Sequence, residues 1–318
     1  MSEAAPQMTI GQILDRVYRL MRACWQLLLG IALAPTLLIL VPMFAAMAWW
    51  IRTIVPQITV QTGAQPHFPI YFLLVFFAAN LLPIPVYAFY VPAGVYAAIQ
   101  ANLGVRVTVR QAYSVAWRHY GRYIWIIVLL FLYIFVPLAV VGALIGGGVF
   151  LILHGAQPGA LPVGLFLLIP AGLLAYFGIV VYAILIMLRF AVAYPAAVAE
   201  DLPARAALRR SSSLTCGARG RIFLVLLAVY GVTYVASLLL MSAVGGVVSI
   251  GAIAAMAAHV AAGSTAFYIL IGLAALIYLA VMVFYAAFIY AALNTALAVV
   301  YHDQRWRKDG VFPSALPA

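Results

Sequence analysis

Glu3, Asp15, Glu200, Asp201, Asp303 and Asp309 are the only carboxylates in this chain of 318 residues, and His67, His119, His154, His259 and His302 its only imidazoles. A hydrolytic centre built on a divalent cation needs several acids and a pair of histidines, because a hard metal takes oxygen ligands. Of the six acids only Glu200 and Asp201 are adjacent. Asp303, His302 and Asp309 lie close together near the C-terminus, but that stretch is basic, and the acids are expected to pair with Arg305, Arg307 and Lys308. His67, His154 and His259 fall one in each expected outer loop. Three histidines can hold a metal, yet that face lacks the carboxylates that usually orient such ligands. The spacing contains no phosphate loop with its lysine, no nucleophile elbow and no zinc pattern. The residues therefore predict no catalytic centre, no metal and no cofactor.

The elements that would position these groups follow from composition. The chain is 68% hydrophobic and 7% charged, with mean hydropathy +1.16. A soluble domain is about 45–50% apolar and about 25% charged. These values exclude a soluble enzyme, a disulfide-stapled secreted domain and a disordered chain; they predict an all-α integral membrane protein. Cys24 and Cys216 fall at the expected cytosolic face, where thiols stay reduced. The opening MSEAAPQM has no basic n-region, so the first apolar run is expected to act as an uncleaved anchor.

Spans need roughly 20 apolar residues, and six runs qualify, at about 23–51, 68–101, 122–153, 160–192, 220–258 and 263–301. Pro35, Pro42, Pro83, Pro85, Pro92, Pro137 and Pro170 are expected kink points. The net charge is +11, from 17 basic and six acidic residues, and the pI is about 9.8. Of the basic residues, 16 fall on one side of this arrangement and only Arg52 on the other. The positive-inside rule then makes both termini cytosolic. The basic charge reflects topology and anionic head groups and not nucleic acid. Ala- and Arg-rich usage suits a bacterial inner membrane.

A threefold repeat organises the chain, at about 9–101, 108–192 and 203–301, with a cytosolic tail over 302–318. In 9–22, Ile10, Ile13, Leu14, Val17, Tyr18 and Met21 line one helical face, and Gln12, Asp15, Arg16, Arg19 and Arg22 the other. Thr9 with Gln12 forms a capping box, repeated by Thr108 with Gln111. The second copy carries Arg110, Arg118 and Arg122 beside a stripe that includes Tyr113, Trp117 and Tyr120. The third carries Arg205, Arg209 and Arg210, with Pro203 expected at its first helical position after an N-cap at Asp201 or its neighbour. Each copy reads as an interfacial amphipathic helix feeding a transmembrane hairpin. Gly63-Ala64-Gln65-Pro66 recurs as Gly155-Ala156-Gln157-Pro158 in the outer loops, and Gly142 and Gly146 stand in GxxxG spacing.

Three stretches carry a family resemblance: TIGQILDRVYRL, RFAVAYPAAVAEDLPARAALRRSSSLTCG and VYHDQRWRKDG. They resemble the bacterial glycerophosphoryl diester phosphodiesterase membrane-domain family, over essentially the whole chain. The most specific positions are Arg189, Pro195, Glu200, Ala206, Leu208, Arg210, Ser211 and Leu214, followed by Tyr301, Asp303, Arg305, Arg307 and Lys308. Ser212-Ser213 departs from the family's expected aromatic-basic pair. The resemblance implies a membrane fold and location without activity, because phosphodiesterase chemistry in that family belongs to a separate soluble domain absent from this sequence.

The expected function is that of a non-catalytic inner-membrane scaffold or accessory protein. Arg16, Arg19, Arg22, Arg110, Arg118, Arg122, Arg205, Arg209 and Arg210 would contact anionic lipid head groups or a protein partner. The alternative is a transporter or channel for a small or amphipathic solute, its path lined by proline-broken spans. No acid lies within a span, which disfavours proton coupling. Asn80 and Asn294 are expected to hydrogen-bond between helices, with substrate lining as the alternative.

Overall fold

The computed structural model describes residues 8–60, 81, 83–155, 161–257 and 265–310. They form α1 (Ile10–Val60), α2 (Pro83–Asn102), α3 (Val109–Arg118), α4 (Tyr120–Gly155), α5 (Leu161–Arg189), α6 (Ala193–Ala199), α7 (Ala204–Thr215), α8 (Arg219–Ala257) and α9 (Thr265–Asp309). Six helices are long and apolar enough to cross a membrane, and the described residues include no strand. Asn80, His67, His259 and the tail beyond 310 lie outside the described residues, as do most of the two similar outer loops.

Local signals explain several element ends. Thr108 caps α3 by accepting from the Gln111 amide, while Gln111 Oε1 accepts from the Thr108 amide at 2.9 Å. Thr9 and Gln12 make the same reciprocal pair, at 3.3 and 2.7 Å. The helix that Thr9 opens and the first span together make up α1, and a kink at Cys24, where the backbone leaves helical angles (φ −120°, ψ 24°), divides them close to the expected boundary between 9–22 and 23–51. Before α7 the N-cap is Pro203 itself, so proline stands one position earlier than expected, and Asp201 adopts a left-handed φ of 49°. At the end of α2, Gly104 (φ +78°) donates to Ala101 O and Val105 donates to Gln100 O. This is a Schellman motif, in which only glycine takes the left-handed position without strain.

Non-helical angles in α1 occur at Cys24 and not at Pro35 or Pro42. Proline cannot donate to the carbonyl four residues earlier, so Pro35 leaves Ile31 O without its helical partner. The Tyr113 hydroxyl of α3 donates to that oxygen. Pro137 likewise frees Tyr133 O, and Tyr182 of α5 donates to it at 2.9 Å. Tyrosines from neighbouring helices thus take over bonds that two prolines remove, as lipid-embedded backbone requires.

Burial is concentrated at the arginine-rich end. α2 is the central helix, with Ala93, Val95, Tyr96, Ala97, Ala98 and Ile99 each at most 3% exposed between α1 and α9. Small residues let these helices approach without a hydrophobic driving force. Gly94 lies tight against Asn294, where an added Cβ would lie 2.5 Å from the Asn294 amide nitrogen. Gly94→Ala must turn that amide aside, and overpacking of this kind costs about 1 kcal/mol. A thermal melt in detergent should show the loss, and Asn294→Ala in the same chain should reverse part of it. At the far ends of the spans, apolar side chains face outward: Leu144, Leu174, Val247 and Ile250 are each at least 66% exposed.

Candidate functional site

Most of the described charge meets at the end of the bundle where α9 outlasts the apolar core. α9 continues as helix through Tyr301–Asp309, and these last turns reach the α6–α7 connection. Arg210 of α7 sits between two acids. Its Nε donates to both Glu200 oxygens, at 3.1 and 2.9 Å, and its Nη2 donates to Asp309. Tyr301 donates to Glu200 Oε1 at 2.8 Å, and Arg305 lies 3.8 Å from the same oxygen. Hydrogen bonds to Asp309 and then Glu200 raise the Arg210 pKa further above its ordinary value, fixing the guanidinium as a cation.

A second node centres on Asp303, 3% exposed. Arg307 Nε donates to its Oδ2 at 2.9 Å, and Arg221 Nη1 approaches the same oxygen at 2.9 Å. Both arginines also donate to Met8 O, so the segment ahead of α1 joins the node. Lys308 donates to Ser213 O (2.6 Å) and Cys216 O (3.0 Å), satisfying carbonyls at the C-terminal end of α7. Ser211 and Thr215 donate to Arg189 O, and Arg189 Nε donates to Ser212 at 2.9 Å. A third pair joins Arg122 of α4 to Asp201 at 2.8 Å, with His119 3.9 Å away. The Arg122 hydrogen bond holds the exposed Asp201 carboxyl below the ordinary carboxylate range.

The expected pairing of Asp303 and Asp309 with the tail is therefore only partly what forms. Arg307 meets Asp303, but Arg305 turns to Glu200, and Lys308 serves backbone carbonyls. Asp309 pairs with Arg210 and Asp303 with Arg221, partners roughly 80 to 100 residues away in sequence that no local pattern announces. Ser212 and Ser213 are both engaged, one by its hydroxyl and one by its carbonyl.

The arginines expected at the lipid surface divide into two sets. Arg16 donates to Asn102, Arg19 pairs with Asp15, Arg122 with Asp201 and Arg210 with Glu200 and Asp309. Arg22, Arg110, Arg118, Arg205 and Arg209 are exposed and make no ion pair among the described residues. Trp117, expected on the apolar stripe of this interfacial helix, is 67% exposed and stacks on Tyr120 at 5.6 Å. Asn294 is 6% exposed, inside the packed end beside Gly94.

The carboxylates of Glu200, Asp201, Asp303 and Asp309 each face guanidinium groups, and no three His, Cys, Asp or Glu among the described residues gather around a common point. The geometry suits cohesion of the basic end and leaves a set of cations facing outward. Compared with family models, curated proteins and solved structures, the chain finds no match.

Proposed function

We propose that the chain is a non-catalytic scaffold or accessory protein of a bacterial inner membrane, with its basic end in the cytosol. One observation carries this reading: the described acids are matched to internal arginines, while Arg110, Arg118, Arg205 and Arg209 stay exposed and unpaired among the described residues. Cations in that position attract anionic head groups, at about 1 kcal/mol each near a charged leaflet. Exposed Tyr18, Trp25 and Trp117 beside them suit the head-group level. The threefold unit of amphipathic helix and hairpin supplies three such surfaces. The resemblance to the phosphodiesterase membrane-domain family fits a membrane module without its own chemistry. Dense packing around Asn294 supports this reading over solute passage through that end of the bundle.

The test uses the full chain in nanodiscs of mixed phosphatidylcholine and phosphatidylglycerol. The retained lipid should be enriched in phosphatidylglycerol, and Arg110→Gln, Arg118→Gln, Arg205→Gln and Arg209→Gln together should lower the enrichment several-fold. An unchanged lipid ratio would remove the basis for a head-group surface.

A further inference from the structure

A cleft of about 550 Å³ opens beside the kink of α1, between Arg22–Leu27 and the α2–α3 connection. Arg22 and Arg106 are its only charged lining residues. Both are exposed, and neither makes an ion pair among the described residues. Two guanidinium groups facing one cavity without a carboxylate repel each other unless an anion lies between them. We infer that this cleft binds the phosphodiester head group of an anionic phospholipid, with Arg22 and Arg106 as its two clamps. The inference rests on the head-group reading above and narrows it from a charged surface to one site.

The backbone explains why the two arginines meet here. The non-helical turn at Cys24 swings the first segment of α1 away from its span and forms one wall. The Schellman turn at Gly104 ends α2 and delivers Arg106 on the opposite wall. Guanidinium groups match phosphate oxygens in bidentate geometry, which an ammonium does not. Gln26, also on the wall, offers an amide to head-group hydroxyls. Trp25, 52% exposed, is the side chain that sets the depth, because its ring favours the boundary between head group and hydrocarbon. That depth favours a lipid phosphodiester over free phosphate, which has no reason to seek an apolar rim.

Native mass spectrometry of the full chain in detergent, titrated with phosphatidylglycerol or phosphatidylcholine, separates the outcomes. The first phosphatidylglycerol should bind tighter than later ones and tighter than phosphatidylcholine. Arg22→Gln with Arg106→Gln should weaken it about tenfold, equal to 1.4 kcal/mol. Arg106→Gln alone, in an exposed connection, serves if the double variant does not fold. First-lipid binding that survives loss of both arginines overturns the site. Displacement of the lipid by millimolar inorganic phosphate overturns its assignment to a lipid. If the four-arginine variant keeps its nanodisc enrichment while the cleft variant loses its first lipid, the broad surface fails and the cleft stands. The reverse result sinks the cleft and keeps the surface.

Discussion

Asp303→Asn should destabilise the protein by about 3–5 kcal/mol, because it strips the shared anion from two partly buried cations. Arg221 and Arg307 approach one Asp303 oxygen, and their side chains are only 20% and 23% exposed. The amide keeps the shape of the carboxylate and removes its charge, so the loss reports electrostatics and not a cavity. The matched control is Asp15→Asn, whose pair with Arg19 is 75% and 50% exposed. A pair so well solvated contributes about 0–1 kcal/mol. Thermal melts of both variants in the same detergent decide the matter. Equal shifts would show that the Asp303 node does not hold the basic end together.

Tyr182→Phe should cost about 1–3 kcal/mol, the penalty for leaving a backbone acceptor unpaired where water is excluded. The hydroxyl of Tyr182 donates to Tyr133 O, the carbonyl that Pro137 cannot serve. Restoring the missing N–H should make the tyrosine dispensable. Pro137→Ala lets residue 137 donate to Tyr133 O along the helix, so in that background Tyr182→Phe should cost little. A double-mutant cycle by thermal melt measures the coupling. Additive effects would mean that the hydroxyl does not answer the proline.

Spans were legible because a bilayer demands long apolar runs, and the run ending in Trp49 and Trp50 or the one around Leu129–Ile134 admits no other reading. Both capping boxes were legible for a local reason, since Thr and Gln three residues apart settle their bonds within one helical turn. The break in α1 falls at Cys24, beside the expected change from amphipathic helix to span, whereas Pro35 advertises a break but keeps helical angles, its freed carbonyl satisfied by Tyr113. The sorting of arginines was illegible. Arg209 and Arg210 are neighbours of the same type, yet one faces outward and the other joins Glu200 to Asp309. That difference depends on where α9 ends relative to α7, a fact about packing between segments about 100 residues apart. Glu200, Arg210 and Tyr301 meet in the same way, and no local pattern in the sequence indicates that they touch.

Cohesion gathered at one rim has a mechanical consequence. The helices are ribs fastened at a common hub, and their distal apolar faces, exposed in the fold, leave the spacing of the tips to be set by whatever apolar solvent surrounds them. Acyl length and micelle size should therefore reshape the half farther from the arginines while the hub holds its form, so that lateral pressure in one leaflet becomes a geometric variable of the molecule.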